Sequence, residues 1–97
     1  MSRPYQHLLR SEIAEALLGN QAERDHLQAI IDELQSELDA VRGNGIESLK
    51  RKMPLNHQIT ELTHQVIALL KIVQDFNFEI HVRDSPDLVA QFGPGAD

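Results

Sequence analysis

Residues 55–83 read LNHQITELTHQVIALLKIVQDFNFEIHVR, and the spacing of their apolar side chains changes partway along. Leu55, Ile59, Leu62, Val66, Leu69, Val73 and Phe76 recur at alternating steps of four and three, which is the seam of a helix. From Phe76 onward Phe78, Ile80 and Val82 alternate with Asn77, Glu79, His81 and Arg83, which is the period of a strand. A helix continued through this stretch would put Phe78 and Val82 on the face opposite Phe76 and Ile80, in residue types that are indifferent helix formers. As a strand all four share one face, so the pattern predicts a strand over 76–83. One strand beside long helices has no sheet to join. Its backbone groups need the same strand of a second copy, or another protein that adds a strand to its edge.

Within the helical part, Val66, Ile67, Leu69, Leu70, Ile72 and Val73 cover an arc of roughly 220° at 100° per residue, about twice the stripe that faces one core. One neighbouring helix cannot cover that. Upstream, Ile46, Leu49 and Met53 open the second arm out of phase with the later seam, and Pro54 marks the slip. A proline inside a helix removes a hydrogen bond and clashes with the carbonyl four residues earlier, so a kink or break is expected near 54, with Asn56 as a new N-cap. Gly43-Asn44-Gly45 is the clearest stop signal, and Asn44 with Glu47 can cap the second arm. So short a connection favours antiparallel neighbours, a helical hairpin.

The first arm is expected over 4–42, with Ser2 as N-cap and Pro4 in the first turn. Its seam assigns a positions to Leu17, Arg24, Ile31 and Leu38, and d positions to Ile13, Asn20, Leu27, Leu34 and Val41. Asn20 and Arg24 interrupt this seam together. Either they set register, since a buried polar pair penalises misalignment, or the helix breaks there, with Gly19 closing one helix and Asn20 and Glu23 capping the next. At the other end, Ser85, Pro86, Asp87 and Gly93 make a start-and-stop set for a short helix over 86–92, packed through Leu88, Val89 and Phe92, and 93–97 is expected to be mobile.

The fold expected is therefore mainly α: an antiparallel helical hairpin or coiled coil in one domain, assembling into an oligomeric helical bundle, with one strand and a short last helix. The formal charge of −6 is unevenly spread. Residues 1–45 carry 8 acids against 4 bases, 46–75 carry 3 against 4, and 76–97 carry 4 against 1. Nucleic-acid binders show a basic face, and Lys50, Arg51 and Lys52 form the one basic cluster, so a dimeric regulator touching phosphate is the alternative to a scaffold. The absence of cysteine, of a signal-peptide core and of any run near the ~20 apolar residues that span a bilayer leads to the expectation of a cytoplasmic or nuclear chain.

No cysteine nucleophile, serine elbow or phosphate loop occurs. His57, Glu61 and His64 share a helical face, and Glu61-x-x-His64 matches half of a di-metal carboxylate pattern, but the second Glu-x-x-His is absent and a solvated face explains all three. No catalytic, cofactor or metal site is assigned, and no small-molecule substrate. What remains is a non-enzymatic homo-oligomer, most simply a dimer, acting as scaffold, adaptor or assembly factor. Its interface is placed at Leu17, Leu27, Ile31, Leu34 and Leu38 of the first arm, at Ile59, Leu62, Val66, Ile67, Leu69, Leu70, Ile72 and Val73 of the second, and at Phe76, Phe78, Ile80 and Val82.

Overall fold

The computed structural model describes residues 3–97. Three helices follow one another: α1 (Arg10–Ala40), α2 (Ile46–Asp84) and α3 (Pro86–Phe92), with α1 and α2 in contact as a hairpin. The Ser2 cap lies outside the described residues. The first arm starts later than 4, because residues 4–7 form a turn in which the Leu8 amide donates to the Tyr5 carbonyl at 3.0 Å. Glu12 supplies one half of a capping box, its Oε1 accepting from the Leu9 amide at 2.9 Å just ahead of α1. α1 then runs without interruption through Gly19 and Asn20.

The turn is closed by Gly43, whose φ of +90° is strained for any residue with a Cβ. Ser48 Oγ donates to the Arg42 carbonyl at 2.6 Å and Lys52 Nζ to the Gly43 carbonyl at 3.4 Å, so the start of α2 ties back onto the turn. The residue ahead of α2 is Gly45, whose carbonyl accepts from the Leu49 amide at 3.0 Å.

The expected break near 54 does not occur, since α2 passes through Pro54. Pro54 leaves the Lys50 carbonyl without its usual donor, but both residues are exposed, so solvent can serve that group. Nor is there a strand at 76–83. Phe76, Phe78, Ile80 and Val82 continue α2 to Asp84, and no strand occurs among the described residues. A helix satisfies its own backbone, which removes the need for a pairing edge. The apolar residues that a helix scatters around its surface here find cover on more than one side, from Tyr5 and from Phe92.

The chain divides into two compact units, Glu23–Ala68 and the remainder, Met1–Ala22 with Leu69–Asp97. In the first, Leu27 is buried, with Ile31, Leu34 and Leu38 of α1, Val41 just past its end, and Leu55, Ile59, Leu62 and Val66 of α2 half-buried. In the second, Ile13, Phe76 and Val82 form the apolar core. Burying each such side chain is worth about 1.5–3 kcal/mol.

Candidate functional site

In the terminal unit the last turns of α2 are enclosed by chain ends. Tyr5 stacks on Phe76 with ring centroids 4.1 Å apart, and Phe92 of α3 meets Phe78 edge-on at 6.1 Å. One turn beyond Phe76 along α2, Glu79 is only 2% exposed. Its Oε1 accepts from Arg3 Nε at 3.0 Å, and its Oε2 accepts from Arg3 Nη2 and from Arg83 Nε, each at 2.7 Å. The i,i+4 spacing of Glu79 and Arg83 on a helix makes the second of these possible; a strand would hold the two groups apart.

Both guanidinium groups then spend their other donors on chain ends. Arg3 Nη1 donates to the Phe92 and Gly93 carbonyls at 2.8 and 2.6 Å, while Arg83 donates to the Ala96 carbonyl at 2.6 Å and the Tyr5 carbonyl at 3.1 Å. The Ala96 amide donates to the Gln6 carbonyl at 2.9 Å, and Arg10 pairs with Asp84 at 2.9 Å and Asp97 at 3.1 Å. Residues 93–97, expected to be mobile, are therefore fastened to the N-terminal turn. Gly93, with φ +91°, closes α3 through its amide to the Val89 carbonyl.

Burial alone would oppose ionisation of Glu79, but hydrogen bonds from Arg3 and Arg83, reinforced by their charges, outweigh it and hold the carboxyl below its ordinary value. Its hydrogen bond to Glu79 likewise raises Arg3. Every buried side-chain nitrogen and oxygen among the described residues has a hydrogen-bond partner. This is the chemistry of a clasp. It presents no unpaired acid or base to a substrate.

The residues assigned to an interface separate by exposure. Leu27, Phe76 and Val82 are buried within one copy. Leu17, Ile31, Leu34, Leu38, Ile59, Leu62, Val66, Leu69, Ile72, Val73, Phe78 and Ile80 are half-buried, and Ile67 and Leu70 are exposed. Asn20 is buried and its Nδ2 donates to the Leu69 carbonyl at 3.0 Å, which fixes α1 against α2 in that unit. Arg24 is half-buried.

Other candidates offer less. His57 Nε2 lies 3.2 Å from Glu61 Oε1 on an exposed surface, and no group of three or more metal-ligating side chains occurs among the described residues. Lys50, Arg51 and Lys52 fan out at about 100° per residue and so share no single basic face. An open cavity of about 420 Å³ beside the hairpin turn, lined by Glu37, Ala40, Val41, Arg51, Pro54 and Leu55, holds one carboxylate and one guanidinium and no nucleophile. Among the described residues no helix is long and apolar enough to cross a membrane.

The clasp residues Arg3, Glu79 and Arg83 are invisible to hydropathy because a strand reading turns Glu79 and Arg83 outward. The signal that could have found them is the Glu-x-x-x-Arg spacing itself. No family model matches the chain, and comparisons with curated proteins and with solved structures return no match.

Proposed function

We propose that this chain is a non-enzymatic, homo-oligomeric helical-hairpin protein that works as a scaffold or adaptor through protein–protein contacts. The observation that carries this reading is the apolar surface one copy leaves uncovered. Among the described residues Ile13, Leu27, Phe76 and Val82 are the buried apolar ones, whereas Leu9, Leu18, Ile46, Leu49, Met53, Ile67 and Leu70 are exposed. The accessible surface is 6723 Å², against about 5600 Å² for a folded monomer of this mass. A surplus of roughly 1100 Å² is enough for one standard interface, which takes about 800 Å² from each partner.

A second copy is the simplest cover, since it needs no other component. The clasp supports the same reading from the other direction: it spends its charges on holding chain ends, leaving none for chemistry. Ile67→Asp tests the proposal. Because Ile67 is exposed in one copy, the substitution should leave helicity unchanged while lowering the mass seen by light scattering to that of a monomer. An unchanged mass, equal to one chain in both proteins, would refute the proposal.

A further inference from the structure

The exposed apolar residues of α2 show which face a second copy would take. Ile46, Leu49, Met53 and Ile67 are 71, 52, 67 and 46% exposed. Ile46, Leu49 and Met53 succeed one another at steps of three and four, and Ile67 lies two heptads beyond Met53, so all four keep one a/d register. Because α2 is continuous at Pro54, that register carries through to Ile67. The intervening positions in the same register are Asn56, Thr60 and Thr63, all exposed. This is a second seam. It is centred about 120° around the helix from the seam of Leu55, Ile59, Leu62 and Val66 that faces α1, so α2 presents two neighbouring faces as a helix in a four-helix bundle does.

We infer that this outer seam packs antiparallel against the same seam of a second copy, about a twofold axis beside Gln58. The inference rests on the homo-oligomer reading and gives it an interface. An antiparallel pair sets Leu49 level with Ile67 of the second copy, Met53 with Thr63 and Asn56 with Thr60, each an a position against a d position. The seam is self-complementary, apolar at its ends and polar in the middle, where Asn56 and Thr60 can hydrogen-bond; an isologous dimer requires that match.

The chain has no cysteine, so engineered disulfides report directly. The double variant Met53→Cys with Thr63→Cys should oxidise to a covalent dimer at micromolar concentration, while neither single variant does. Within one copy the two positions are ten residues apart on α2, about 15 Å, too far to bridge. Rapid cross-linking of Met53→Cys alone would show a parallel pair and overturn the antiparallel arrangement. A double variant that stays uncross-linked yet has the mass of a dimer would overturn this seam and leave the homo-oligomer reading standing. One with the mass of a monomer would overturn both.

Discussion

At Glu79 a carboxylate sits almost out of solvent between two guanidinium groups, and the balance there decides how firmly the chain ends are held. Removing one partner of a buried ion pair strands the other, which costs about 3–5 kcal/mol. Glu79→Gln should therefore lower unfolding stability by an amount of that order, read by urea titration, with faster hydrogen exchange at the Ala96 amide. The acid dependence has a definite sign. The folded carboxyl titrates below its ordinary 4.5, so the unfolded chain binds more protons as pH falls past that value. The clasp's contribution is complete above about pH 5 and is lost as pH drops through the lower folded value. Urea midpoints should fall as pH drops below about 4.5 in the wild type, and less so in Glu79→Gln. Gly95 belongs to the same cluster, because a Cβ there would land on the Arg83 guanidinium. Gly95→Ala should displace that group and destabilise the protein by about 1–3 kcal/mol, measured the same way.

Along the elements, the hairpin is legible in the sequence and the end of α2 is not. The alternating steps of four and three in both arms identify the residues that face the partner helix, and Gly43 supplies the positive φ that ends the first arm. Over 76–83 the period of two misleads, because it reports one face only, and this segment is covered on several sides by Tyr5, Phe92 and the tail. Those covers come from 71 residues away for Tyr5 and 14 for Phe92, separations the apolar period does not report. Pro54 misleads for a simpler reason: its cost is finite and its exposed site lets solvent take the lost bond. Two substitutions test this description. Gly19 lies inside α1 with open space around its Cβ position, so Gly19→Ala should stabilise by about 1 kcal/mol. Pro54→Ala restores a helical hydrogen bond at an exposed site and should stabilise by about 2–3 kcal/mol, with a higher thermal midpoint by circular dichroism.

For the whole molecule, the apolar arc of α2 is too wide for one neighbour, and the structure leaves Ile67 and Leu70 of that arc exposed while half-covering the rest. Leu69 belongs to the half-covered side, facing α1 where Asn20 reaches its carbonyl. Leu69→Asp should consequently disrupt the hairpin itself, lowering helicity, whereas Ile67→Asp should affect association alone. Sedimentation equilibrium of the wild-type protein across micromolar concentrations decides whether a second copy covers that arc. The mass expected is at least two chains, falling on dilution; a mass of 11.0 kDa at every concentration, with full helicity, would contradict self-association.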